Sequence, residues 1–257
     1  MKFSKLSDLV KTSQFAWFAG HVVVLFCSLL YAMTAFRRGN SGLHNVLYRM
    51  AYVGVIESFG IILYQQHLGR GNGTKAPLQS LLREDNVLYV ILAVMWLLTP
   101  RLTITLVPYV VFSLFHVLTY VKSVVLPQLS EQGQPSRLKG PIDNFVRENN
   151  GKSMLWVSFA ELVCLLLVLV RALLCYRSSW LVLLVFSAFI KIRYETSPHM
   201  RSCVKKWEVH VDGLVSHPQV PARVKGFYVR MKNQIRCLNK YSIARGSSAP
   251  TDATKQK

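Results

Sequence analysis

The sequence predicts an all-α, polytopic membrane protein with about six hydrophobic helices in three hairpin-like pairs, followed by cytosolic basic amphipathic helices. Three observations carry that prediction. Apolar residues make up 51% of the 257 residues while the formal net charge is +19, which is too hydrophobic for a disordered chain and too basic for an average soluble domain. The apolar residues are gathered into long runs. Lys and Arg then greatly outnumber Asp and Glu from Lys191 to Lys257, directly after the last run. Such a cationic balance also occurs in nucleic-acid binders, but here the cations stand between and after apolar runs, where they meet lipid headgroups. No nucleic-acid partner is expected.

A basic N-terminal segment, residues 1–14, precedes a membrane domain over residues 15–194. The run Phe15 to Phe36 carries no charge and is flanked by Lys2, Lys5 and Lys11 before it and Arg37 and Arg38 after it; it exceeds the about 20 residues of a bilayer crossing. The competing reading is a cleaved signal peptide. Its apolar region is about 7 to 15 residues long and ends in a small-residue site, which Met33-Thr34-Ala35 matches poorly. Further runs follow at 43–66, 87–99, 102–121, 154–174 and 180–190. The runs 87–99 and 180–190 fall well short of a crossing, so they either borrow flanking residues or dip into one leaflet as wedges. Pro100 and Pro108 are expected to bend or break the third and fourth runs, because proline removes a backbone donor and clashes with the preceding turn.

The connections within each pair, Arg37 to Gly42, Pro100 to Arg101 and Cys175 to Ser179, are short enough to make the partners antiparallel neighbours. Longer polar loops, Leu68 to Asp85 and Lys122 to Lys152, separate the pairs. If every run crosses, both termini and both long loops share the side with most of the positive charge, which is the cytosolic side; Arg37 and Arg38 lie opposite. The glycosylation sequon at Asn72-Gly73-Thr74 then faces the cytosol and stays unused.

Ionisable residues inside apolar runs are costly and so are functional candidates. Arg49 and Arg171 are close enough to run ends to snorkel, and Glu161 stands in the second turn of its run. Glu57 reads as the deep one, hydrogen-bonded inside the bundle. His21 and His116 read as packed polar residues. A channel or transporter would use Glu57, Glu161 and His116 along a pathway, with Gly54, Gly60 and Pro108 permitting broken helices. No nucleophile elbow, phosphate loop, dinucleotide fingerprint or zinc motif is present, so neither an enzyme nor a cofactor is expected. The five cysteines lack metal-ligand spacing. Cys203 and Cys237 are either free thiols of a reducing cytosol or sites of reversible acylation.

The tail, residues 195–243, is patterned. Val204, Trp207, Val211 and Leu214, and after a Pro-containing break Val224, Phe227, Met231, Ile235 and Leu238, recur at helical spacing. Lys205, Lys206, Lys225, Lys232, Arg236 and Lys240 occupy the opposite arc. Helices of this kind lie in the headgroup plane and hold anionic, curved membrane by apolar burial and charge; packing on the membrane bundle is the plainer alternative. Residues 244–257 are expected to be disordered.

The block Leu81-Leu82-Arg83-Glu84-Asp85, an apolar run, and then Pro108, Phe112, Ser113, His116, Tyr120 and Lys122 resembles the central block of the transmembrane protein 33 family, which includes pore-membrane proteins of the nuclear envelope. Arg193 and Tyr194, leading through Cys203 into the tail, form a second matching block. The resemblance implies a non-enzymatic protein of the endoplasmic reticulum and nuclear envelope that shapes the reticulum or organises nuclear pore complexes. The partners it implies are nuclear pore components, reticulum-shaping proteins or a nuclear transport receptor, besides membrane lipid.

Overall fold

A computed structural model of the chain describes residues 11–34, 41–68, 78–81, 83–129, 138–176, 179–238 and 241–242. These residues are helical with no strand among them. The principal helices are α1 (Ser13–Thr34), α2 (Ser41–Leu63), α3 (Asp85–Leu98), α4 (Val107–Tyr120), α5 (Lys139–Leu173), α6 (Ser179–Thr196), α7 (Pro198–Ser216) and α8 (Ala222–Leu238). Arg37, Arg38, Asn72, Lys240 and the terminal segments 1–10 and 243–257 lie outside the described residues.

Among the described residues four segments are long and apolar enough to cross a membrane: Ser13–Thr34, Gly42–His67, Thr103–Gln128 and Lys139–Leu173. The expected six hydrophobic helices therefore include four spans of full length. Helix α3, at 14 residues, covers only about 21 Å at 1.5 Å per residue, against a hydrocarbon core of about 30 Å. Helix α6 has 18 residues but ends in Lys191, Arg193 and Glu195, and it is not among the four.

The first and third pairs are helical hairpins, α1 on α2 and α5 on α6, but the second is not. Helix α3 packs chiefly on α2, while α4 packs on α1 and α5. The cause is a set of hydroxyls on the turn Thr103–Leu106 that precedes α4. Thr105 Oγ1 lies 3.0 Å from Tyr48 Oη and 2.6 Å from Tyr52 Oη of α2, and Tyr31 Oη of α1 lies 2.8 Å from Thr103 Oγ1. Buried hydroxyls need such partners, and here they draw the start of α4 toward the first hairpin. Pro108 sits in the first turn of α4, where a missing amide costs nothing; it starts the helix rather than bending it. Pro100 follows the end of α3.

Helices α1 and α2 approach each other closely at two glycines. A Cβ on Gly20 would lie 2.2 Å from Ser58 Oγ and 3.0 Å from the Gly54 carbonyl oxygen, and one on Gly54 would lie 2.9 Å from the Gly20 carbonyl oxygen. Small residues permit this spacing, as they do between membrane helices generally. Gly54 is thus a packing residue, and α2 is unbroken through it.

Helix α5 corrects a boundary. It begins at Lys139, well inside the stretch expected to be a loop up to Lys152, and runs for 35 residues, about 52 Å. Its polar first half must project beyond the hydrocarbon. Lys122 beyond α4 bonds Asp143, and Phe115 stacks on Phe145 with ring centroids 6.3 Å apart, so tertiary contacts hold this half against the end of α4.

Candidate membrane-surface site

The tail meets the bundle through α7. Ser197 caps that helix by accepting a hydrogen bond from the Met200 amide, and Pro198 occupies its first turn, the Ser-Pro arrangement that favours a helix start. Met200 and Cys203 are buried, Val204 packs against the core, and the Trp207 ring lies 5.6 Å from that of Phe159 on α5. The apolar stripe of α7 therefore faces α5 through Val204 and Trp207, whereas Leu214 at its far end is exposed. Lys205 and Lys206 are exposed on the other side.

Helix α8 is joined to α7 by charge. Lys232 Nζ lies 2.6 Å from Asp212 Oδ2 and 2.8 Å from Glu208 Oε1. Arg236 Nη2 lies 3.2 Å from Glu208 Oε1, and Tyr228 Oη donates to Asp212 Oδ1 at 2.6 Å. Lys232 beside Asp212, with Tyr228, holds that carboxyl below the usual range, and Lys232 does the same for Glu208. The ammonium of Lys232 is raised in turn by the two carboxylates. Two of the six cations assigned to the lipid-facing arc are thus engaged inside the tail. Lys225 is half-buried. Sequence reasoning missed Asp212 and Glu208; their four-residue spacing on α7, matched by Lys232 and Arg236 on α8, was the available signal.

On α8, Val224, Phe227, Met231 and Ile235 all remain largely exposed. Met231 and Ile235 face a cavity of about 410 Å³ that α8 shares with α7, α5 and Tyr194 of α6. The side chain of Leu238 is outside the described set. Cys203 is buried on α7 and Cys237 exposed on α8, so only the second thiol is accessible for acylation.

Beneath α7 lies a charged cluster in which Glu161 and Arg193 are buried and Asp85 is exposed. Arg193 of α6 donates from Nη1 to Asp85 Oδ2 at 3.0 Å, and its Nε stands 3.7 Å from Glu161 Oε2 of α5, an ion-pair rather than a hydrogen-bond distance. Tyr89 of α3 donates to Glu161 Oε1 at 2.5 Å, and the guanidinium carbon lies 5.5 Å from the Tyr89 ring centroid. Glu161 is 2% exposed and Arg193 4%. The cluster ties three helices together.

Ser113, His116, Tyr120 and Phe112 of α4 join that helix to its neighbours. His21 Nδ1 and Ser113 Oγ are hydrogen-bonded at 3.0 Å, the His116 ring meets Trp17 and His21, Tyr120 stacks on Phe18, and Phe112 meets Tyr89 edge-on. His21 and His116 are packed residues of the bundle. The deep carboxylate, by contrast, is reversed. Glu57 lies on the exposed face of α2, while Glu161 is the buried one, and the two are not brought together. Arg49 is exposed, and Arg171 reaches the Arg101 carbonyl at 3.4 Å and the Tyr176 ring at the end of its helix.

The family model for Transmembrane protein 33/Nucleoporin POM33 matches residues 3–240. The chain belongs to that family. It is 42% identical to the Pore membrane protein of 33 kDa of Saccharomyces cerevisiae, over 96% of this chain and 90% of that protein. It is 29% identical to Nucleoporin POM33 of Chaetomium thermophilum, over 96% and 94%, and 28% identical to Tetra-spanning protein 1 of Schizosaccharomyces pombe, over 96% and 91%. No solved structure matches. The transmembrane protein 33/nucleoporin POM33 match covers both the membrane bundle and the α7–α8 tail, so the tail is part of the family's shared body. Relatives within the family are named as pore-membrane and endoplasmic reticulum proteins, and the four apolar segments fit a multi-pass membrane protein.

Proposed function

We infer that this chain is a non-enzymatic membrane protein of the endoplasmic reticulum and nuclear envelope that shapes or stabilises curved membrane and supports nuclear pore complex organisation, with its termini in the cytosol. The observation that carries this reading is the α7–α8 pair: an amphipathic helix fixed to the end of the bundle, with a second one latched to it whose Val224 and Phe227 are exposed away from the cavity and whose Met231 and Ile235 are exposed within its open mouth. Such a pair lies in the headgroup plane with its apolar side in the acyl layer. Lys205, Lys206 and Lys225 then supply anionic-lipid contacts, at roughly 1 kcal/mol for each cation near the surface.

The bundle supports the same reading. Helix α3 is shorter than the hydrocarbon, with Asp85 at one end and Arg101 just beyond the other, and a short apolar length is accommodated by thinning the adjacent bilayer. Area added in one leaflet by the tail, beside a thinned patch, favours curvature. Pore components, other reticulum-shaping proteins and a nuclear transport receptor are the partners this placement suits.

The test is imaging of the tagged full chain in cells. Wild type is expected to concentrate at curved or pore-containing membrane, and the variant Phe227→Asp/Met231→Asp/Ile235→Asp is expected to stay in the reticulum but lose that concentration. Unchanged distribution of the triple variant would refute the reading.

A further inference from the structure

The cavity of about 410 Å³ between α5, α7 and α8 has walls of two kinds. Leu162 and Leu166 of α5 form one side, and Leu166 is already open to the exterior of a membrane-crossing segment. Val204 and Val211 of α7 and Met231 and Ile235 of α8 form the other. The lining also holds Tyr228, Lys232, Glu208 and Arg236, and Arg236, more exposed than Lys232 or Glu208, stands at the rim.

We propose that this cavity holds one acyl chain of a membrane glycerophospholipid, with the lipid phosphate at Arg236. Its volume lies in the about 300–1,000 Å³ range of small-molecule sites, which suits one flexible acyl chain. The α5 wall is continuous with the lipid-facing surface of its span, so an acyl chain enters sideways from the leaflet without leaving hydrocarbon. At the rim, Lys232 is committed to two carboxylates. Among the described residues Arg236 makes a single ion pair, its side chain is 65% exposed, and a guanidinium has five donors, which leaves several for a phosphate. The bound chain would fill the space under α8 and keep the α7–α8 pair level with the leaflet.

This inference rests on the membrane placement of α5 and not on curvature. The purified full chain, delipidated in detergent, is incubated with phosphatidylcholine carrying a photoreactive diazirine near the end of one acyl chain, and the labelled positions are mapped by mass spectrometry. Labelling is expected at Val211 and Met231, saturating at one lipid per chain, competed by unlabelled phosphatidylcholine and not by glycerophosphocholine. Leu166→Trp/Val211→Trp, which fills the cavity, is expected to lose at least nine-tenths of that labelling while outward positions such as Leu169 and Leu173 label as before. Arg236→Gln is expected to weaken retention several-fold without moving the labelled positions. Labelling confined to Leu169 and Leu173, labelling that does not saturate, or competition by the headgroup alone would overturn the proposal, and the wild-type competition decides this even if the filled variant fails to fold. Because retention in detergent makes no use of curvature, a chain that keeps its lipid but does not sort to curved membrane refutes only the preceding section.

Discussion

Lys232 places its ammonium 2.6 Å from the Asp212 carboxylate, across the break that separates α8 from α7. This pair, reinforced by Glu208, Arg236 and Tyr228, is what keeps the second amphipathic helix folded back on the first. Asp212→Asn is expected to release α8: amide exchange over Ala222–Leu238 rises, while exchange in α1–α6 is unchanged. Equal exchange in α8 of both proteins would show that packing alone holds the pair.

The pH dependence of the latch follows from the same groups. Asp212 and Glu208 titrate below their ordinary values, so their contribution is complete above about pH 4–5 and is lost as pH falls through the lowered values. Lys232 titrates above its ordinary value, so its contribution is complete below about pH 10 and is lost as pH rises through the raised value. The protection of α8 amides, corrected for their intrinsic exchange rate at each pH, is therefore expected to be flat through neutrality and to fall at acidic pH, and also at high salt, because exposed pairs are screened.

Arg193 stands between the buried Glu161 and the exposed Asp85. Removing one member of a buried ion pair leaves the other charge uncompensated, at about 3–5 kcal/mol. Arg193→Ala is expected to lower the thermal midpoint in detergent sharply, and Arg193→Met/Glu161→Gln to recover much of the loss. A double variant no more stable than Arg193→Ala would mean that Glu161 needs no neutralising partner. The same cluster bears on transport: with Glu161 neutralised inside the bundle and Glu57 outside it, reconstituted vesicles are expected to show no ion flux, and a flux abolished by Glu57→Gln would favour a channel instead.

At the α1–α2 crossing, Gly54→Ala places a methyl group 2.9 Å from a backbone oxygen, and overpacking of this kind costs about 1–3 kcal/mol. The variant is expected to melt earlier in detergent than Gly60→Ala, whose position has open space around it. Equal midpoints would contradict the tight crossing.

How far the sequence reveals this molecule depends on whether a feature is local. The uncharged run of α1, the runs of α2 and α4 and the two tail stripes are periodic or continuous signals, and each became a helix. The polar half of α5 has no such signal, because Lys122–Asp143 and Phe115–Phe145 are tertiary contacts. Distance from run ends makes Glu57 the deeper carboxylate, whereas burial is decided by helix face: Ser58 and Phe59 face inward beside Glu57, and Glu161 has a cation waiting on α6. The tail stripe was legible; that two of its cations would be held by Asp212 and Glu208 depends on α8 folding back over α7.

Asn72 provides a direct check of sidedness. With the loop between α2 and α3 in the cytosol, endoglycosidase treatment is expected to leave the mobility of the wild-type chain unchanged. A shift in wild type that disappears in Asn72→Gln would place that loop in the lumen.

The central claim is that α8 reads membrane curvature through its apolar face, and it is tested most directly by sorting. The full chain is reconstituted into giant anionic vesicles, and its density is measured on a narrow tube pulled from the vesicle relative to the flat membrane. Wild type is predicted to be enriched on the tube, with enrichment reduced by salt, and Phe227→Asp/Met231→Asp/Ile235→Asp to distribute evenly. Even distribution of wild type, or enrichment that survives in the triple variant, would contradict the account.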